Sequence, residues 1–196
     1  YAIGLITVSR VIDRLGVRTG MALVVGMCAI AAASHSCVSS VMGFCLARFA
    51  LGIGESGTWP GCAKTVSEWF PRKERAVGMG VVNAGSSVGA TITPLVVPLI
   101  LKLVAWPFVF LFTATLDLIW LCAWLMGYRN PDRHPWLKKS ELAYIRSDPN
   151  PPQGRVSWLQ LFRHRQTWAF LLAKGLSDPI WWFYLFWVPG FLAKQY

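Results

Sequence analysis

Residues 48–64, RFALGIGESGTWPGCAK, set an arginine, a glutamate and a lysine into a chain whose neighbouring stretches read as lipid-facing helix. An arginine or glutamate in the middle of a membrane span costs roughly 2.5 kcal/mol or more unless it is paired or faces water, so such a residue is first read as functional. At ~1.5 Å per residue, Arg48 and Glu55 are ~10.5 Å apart along a helix and lie on nearly one face. That face can line a cavity, or it can hold a buried pair that only fixes packing. Two turns are a long reach for direct contact along one helix, which favours the cavity. Gly52, Gly54, Gly57 and Gly61 on the same stretch read as sites of close helix approach.

The rest of the 196 residues supplies the membrane: 55% are hydrophobic, only 14% are charged, and there are 11 tryptophans. Mean hydropathy is +0.45. Burial in lipid explains this composition and argues against a soluble enzyme. The net charge of +10 raises nucleic acid as a partner, but a nucleic-acid binder gathers its cations into one patch. Here they sit between apolar runs. Cys28, Cys37, Cys45, Cys62 and Cys122 follow no metal or redox spacing and read as small hydrophobes. No nucleotide site, metal cluster or catalytic triad is visible, so no cofactor is expected.

Apolar runs of about 20 residues suffice to cross a bilayer as helix. The tail of one runs over 1–12, whole ones lie near 20–38, 41–62, 76–100 and 106–128, and a last one near 167–192. The chain opens at Tyr1 inside an apolar pattern, which predicts a fragment, and no signal peptide is visible there. Arg10, Arg14 and Arg18 flank the first loop, VIDRLGVRTG; Lys64, Arg72, Lys73 and Arg75 flank EWFPRKERA; further Lys and Arg crowd 129–165. The intervening turns carry only Lys102 and, at the far end, Lys194. This alternation places the three basic loops in the cytoplasm. The stretch 129–165 is rich in Pro and charge and too poor in apolar residues for a core, so it reads as a cytoplasmic linker, with a short helix expected at SELAYIR capped by its serine.

The pattern ARFALGIGESGTWPGCAKTVSEWFPRKERAVGMGVVNAGSSVGATITP resembles the fourth and fifth spans of the anion:cation symporter branch of the major facilitator superfamily. VIDRLGVRTG resembles the superfamily's loop between the second and third spans, and LSDPIWWFYLFWVP its seventh span, most closely in bacterial hexuronate transporters. One departure is Ser9, where the superfamily usually has glycine. The resemblance implies an all-α, multi-pass membrane protein of the cell (inner or plasma) membrane, a monomer with no enzymatic role and no nucleic-acid partner, of which this chain is a partial helical bundle. Residues 1–128 would belong to the N-terminal bundle, from the end of the second span to the sixth, 129–165 to the linker, and 166–196 to the first span of the C-terminal bundle.

The resemblance also implies roles. Arg48 matches the fourth-span arginine and Glu55 the fourth-span acid used in proton coupling; Tyr1 matches a second-span tyrosine lining the sugar-acid site, Ser86 a polar fifth-span ligand, and Lys174 a polar or cationic group near the substrate carboxylate. Chemistry supports this separately. A carboxylate substrate needs a cation to offset its desolvation, and Arg supplies a planar fork of fixed charge. A proton carrier must titrate, as Glu55 can. Lys174 also reads as a lysine snorkelling to the headgroups, and Asn83 as an interhelical hydrogen bonder. Asp117, near the centre of its span, has no assigned role. The aromatic run from Trp181 to Trp187 reads mostly as an interfacial belt.

Asp13, Arg14, Arg18, Glu68 and Arg75, with Arg72, Lys73 and Glu74, lie in the basic loops and could form ion pairs that hold a cytoplasmic gate shut, or could only enforce topology. Two function classes follow. The first is a proton-coupled symporter of organic anions, hexuronates foremost, with galactonate, glucarate or phthalate-like acids behind them. The second is a channel or a non-transporting receptor. A long linker between two bundles and alternating basic loops are natural in a carrier that rocks.

Overall fold

The computed structural model describes residues 1–147, 160 and 162–195. The described residues are helical: α1 (Ala2–Leu15), α2 (Val17–His35), α3 (Val41–Glu55), α4 (Thr58–Trp69), a 3-10 turn (Arg72–Glu74), α5 (Arg75–Leu103), α6 (Trp106–Gly127), a second 3-10 turn (Pro131–Arg133), α7 (Lys139–Ile145) and α8 (Arg165–Gln195). They divide into two compact units, 1–149 and 150–196. The expected linker residues 148–159 and 161 lie outside the described residues.

In the first unit α2 is the hub, packed most extensively on α6 and then on α3, α1 and α4. Its sequence explains this. Gly20, Ala29, Ala31 and Ala32 are buried, and small side chains let neighbouring backbones approach where lipid provides no hydrophobic drive. Ile12, Val17, Met21, Val24, Ala47, Val66 and Ala114 complete the core. The α1–α2 corner turns at Gly16, whose φ of 79° is a left-handed conformation that favours glycine. Ser9 costs this corner nothing visible, because its hydroxyl donates back to the Leu5 carbonyl within α1.

Three helical segments are long and apolar enough to cross a membrane: Val17–His35, Arg72–Leu103 and Trp106–Gly127. They correspond to three of the expected runs. The expected run 41–62 is corrected: it is two helices, broken at Ser56–Gly57, and the second continues to Trp69. The apolar pattern runs through the break and so does not reveal it. Ser40 caps the start of α3 by accepting a hydrogen bond from the Gly43 N–H at 3.1 Å. At the break, Ser56 is fully buried and its hydroxyl donates to the Ile53 carbonyl at 2.5 Å. The run near 167–192 is helical within α8 but is not apolar enough to join the three. Lys174 and Asp178, paired at 2.9 Å, and indole and phenol groups with their polar atoms lower its apolarity.

Gly57 shows what the break accomplishes. A Cβ there would run into Val24 of α2 and Val8 of α1, so α4 starts where three helices touch. Gly57→Val is expected to destabilise the fold by roughly 1–3 kcal/mol through overpacking. The check is the thermal melting of the full-length protein in detergent; an unchanged midpoint contradicts this packing.

The segment after α6 also departs from expectation. The helix at SELAYIR forms, but it starts at Lys139 with Lys138 at its cap and no side-chain cap bond, so Ser140 sits inside the first turn. The segment is tied to the bundle. His134 packs edge-on against Trp69 with ring centroids 5.2 Å apart, Pro131 is fully buried, and the Tyr144 hydroxyl donates to Glu74.

Candidate functional site

Arg48 lies on α3 and is exposed. It lines a cavity of about 500 Å³ together with His35, Val41, Phe44, Cys45 and Phe110. These residues come from the C-terminal end of α2 and the N-terminal ends of α3 and α6. His35 is 2% exposed. Its Nδ1 lies 2.7 Å from the Ala31 carbonyl oxygen, which requires Nδ1 to carry the proton, and its ring stacks on Phe110 at 4.9 Å. Nε2 has no hydrogen-bond partner among the described residues. The cavity is thus a mostly apolar concavity with one guanidinium and one imidazole, the composition of small-ligand pockets.

Glu55 ends α3 immediately before the break and is also exposed. It is not among the residues lining the Arg48 cavity, and the two form no ion pair among the described residues. What surrounds Glu55 is a different set: its carboxylate acts electrostatically on Tyr1, Cys28 and Asp117. Tyr1 caps α1, and a Cβ on Gly52 would stand 3.5 Å from the Tyr1 amino nitrogen. Cys28 and Asp117 lie midway along α2 and α6. Glu55 is thus near enough to Tyr1 and Asp117 to act on them through space, with Arg48 two turns away along α3.

Ser86 is exposed on α5 and makes no hydrogen bond among the described residues. Nearby polar groups on that helix are satisfied locally: the Asn83 amide donates to the Met79 carbonyl at 3.0 Å and the Ser87 hydroxyl to the Asn83 carbonyl at 3.1 Å. Lys174 belongs to the second unit, where it pairs with Asp178 one helical turn on. Trp182 and Phe186 stack at 5.5 Å on the exposed surface of the same helix.

The basic-loop residues gather at one end of the first unit, with partners that sequence did not supply. Asp13 pairs with Lys64 at 2.8 Å, and the same ammonium donates to the Ile12 carbonyl at 3.3 Å. Arg18 donates to the Leu125 carbonyl at 2.6 Å, and Trp124 returns a bond to the Arg18 carbonyl at 3.1 Å. Glu68 accepts from the Tyr128 hydroxyl at 2.7 Å. Arg75 donates to the carbonyls of Phe70 and Ser67 at 3.3 and 3.0 Å. Arg14 has no side-chain partner among the described residues. Burial, followed by the hydrogen bond to Glu68, pushes the Tyr128 phenol well above its ordinary range. It therefore stays a neutral donor at any physiological pH.

Sequence reasoning missed Lys64 as the partner of Asp13, His35 beside Arg48, and the link between Asp117 and Glu55. Asp117 carried a signal, being an acid in an apolar span. A histidine at a helix end carried none.

A bundle whose described residues include three helices long and apolar enough to cross a membrane has the build of an integral membrane protein. The chain belongs to the Major Facilitator Superfamily, whose profile matches residues 1–196. It is 35% identical over 191 residues to a galacturonate transporter of Dickeya chrysanthemi, a match covering 95% of this chain and 55% of that protein. A hexuronate transporter of Escherichia coli K12 is 34% identical over 192 residues, covering 95% of this chain and 44% of that protein. A probable L-galactonate transporter of the same organism is 30% identical over 200 residues, covering all of this chain and 44% of that protein. The chain spans about half the length of the curated relatives it matches.

Proposed function

We propose that this chain is part of a secondary active transporter that moves hexuronates or related sugar acids together with protons by alternating access. The observation that carries the reading is Arg48, an exposed guanidinium at the wall of a cavity of about 500 Å³. A fixed cation among apolar walls attracts a carboxylate, and its fork can hold both oxygens. Phe44 and Phe110 offer flat faces for a sugar ring. Glu55, on the same helix and near enough to Asp117 and Tyr1 to act on them through space, is the proton carrier in this reading. Protonation removes its charge, and the changed balance with Arg48 couples proton to anion.

In this reading Tyr1 and Ser86 contribute substrate contacts from 1–128, and Lys174 contributes one from 166–196, the segments that belong to the two bundles of the full-length protein. The basic loops face the cytoplasm of an inner or plasma membrane. The Asp13–Lys64 pair and the bonds of Arg18, Glu68 and Arg75 hold that end closed, with Arg14 adding charge. Because exposed pairs contribute only about 0–1 kcal/mol each, such a gate opens easily.

The names of the relatives make glucuronate and galacturonate the first substrates to test and galactonate the second. Uptake of labelled glucuronate, galactonate and glucarate by cells making the full-length protein is expected to saturate and to be highest for the hexuronate. Uptake of none of the three above background contradicts the reading.

A further inference from the structure

The end of the first unit that carries the basic loops holds a separate cavity of about 340 Å³, walled by the α1–α2 corner, Glu68 at the end of α4, and the segment Tyr128–Arg133. Three guanidinium groups, those of Arg18, Arg129 and Arg133, line it against a single carboxylate, Glu68. That carboxylate is already engaged by the Tyr128 hydroxyl at 2.7 Å. Arg129 and Arg133 have no side-chain hydrogen bond or ion pair among the described residues. The neighbouring acid, Asp132, is taken by Arg146 at 2.6 Å. Among the described residues the cavity thus carries an uncompensated positive charge, and Arg18 and the end of α6 bond each other reciprocally at 2.6 and 3.1 Å.

Its depth is marked by an aromatic ladder. Trp120 stacks on Trp124 at 5.1 Å, and Trp124 on Tyr128 at 4.1 Å, so the ladder climbs the last two turns of α6 to Tyr128, which lines the cavity. Trp120 is exposed, and amphipathic rings of this kind settle where hydrocarbon meets headgroup. We propose that this cavity binds a phosphate group through Arg129, Arg133 and Arg18, the phosphate being that of an anionic phospholipid headgroup in the adjoining leaflet or a free phosphate of the same charge. Guanidinium forks match phosphate oxygens, and basic pockets between membrane helices hold anionic headgroups. The transport reading places Arg18 and Glu68 in the gate but uses neither Arg129 nor Arg133, so a variant of these two tests the cavity separately from the gate.

The test uses the full-length protein in nanodiscs of phosphatidylcholine doped with phosphatidylglycerol, with bound lipid counted by native mass spectrometry after release. Wild type is expected to retain phosphatidylglycerol in preference to phosphatidylcholine, and the double variant Arg129→Gln, Arg133→Gln to retain about tenfold less of it. A second arm titrates lipid-depleted protein with labelled inorganic phosphate. Phosphate binding that the double variant loses, without preferential lipid retention, assigns the cavity to the soluble anion and upholds the phosphate chemistry. Equal retention of the two lipids with no phosphate binding, or retention and binding unaffected by the double variant, overturns the proposal.

Discussion

Replacing Arg48 by alanine in the full-length protein is expected, on the proposed function, to lower the apparent affinity for glucuronate by about 10- to 150-fold. That range is the ~1.5–3 kcal/mol attached to a hydrogen bond with a charged group. Among the described residues, Arg48 lines its cavity with aromatic and aliphatic neighbours and no second fixed cation; His35, the other residue among them with an ionisable nitrogen on the wall, is buried and committed at Nδ1 to the Ala31 carbonyl. Lysine should restore only part of the loss, because a point charge cannot span both carboxylate oxygens as the planar fork does. Concentration-dependent uptake measures both variants. Alanine with unchanged affinity would place the anion elsewhere.

Glu55→Gln is expected to separate accumulation from exchange. Glutamine keeps the size and hydrogen-bonding capacity of a protonated glutamate but cannot release a proton. The variant should exchange external for internal substrate at near wild-type rates while failing to concentrate it against a gradient. Counterflow and concentrative uptake in proteoliposomes read the two properties separately. Accumulation at normal levels removes Glu55 from proton coupling and turns attention to Asp117, the neighbouring acid.

The two variants probe a site that the sequence indicated only in part. That Arg48 and Glu55 share one helix, two turns apart, was legible from their spacing in an apolar run; their roles are what the two variants test. The identity of their neighbours was not legible. Asp117 and Cys28 reach Glu55 across helix interfaces, and His35 reaches the Arg48 cavity because α2 ends beside the starts of α3 and α6. Such meetings depend on how helices cross, which periodicity does not encode.

The fold follows the same division. α2, α5 and α6 were legible because a long apolar run has one inexpensive state in lipid, the backbone-satisfied helix. The break at Ser56–Gly57 was hidden in an unbroken apolar pattern, and its cause, the approach of Val8 and Val24 to Gly57, is a tertiary contact. Among the basic loops, charge alternation was readable, but Asp13 chose Lys64, 51 residues away, over the arginines beside it in sequence. Ser140 was expected to cap α7 on local preference alone, and the cap lies two residues earlier, at Lys138.

The coupling of anion to proton is tested most directly by glucuronate-evoked proton movement in proteoliposomes containing the full-length protein and an internal pH dye. Adding external glucuronate is predicted to acidify the lumen in step with substrate entry. Glucuronate entry at normal rates with no pH change in the lumen would contradict the account.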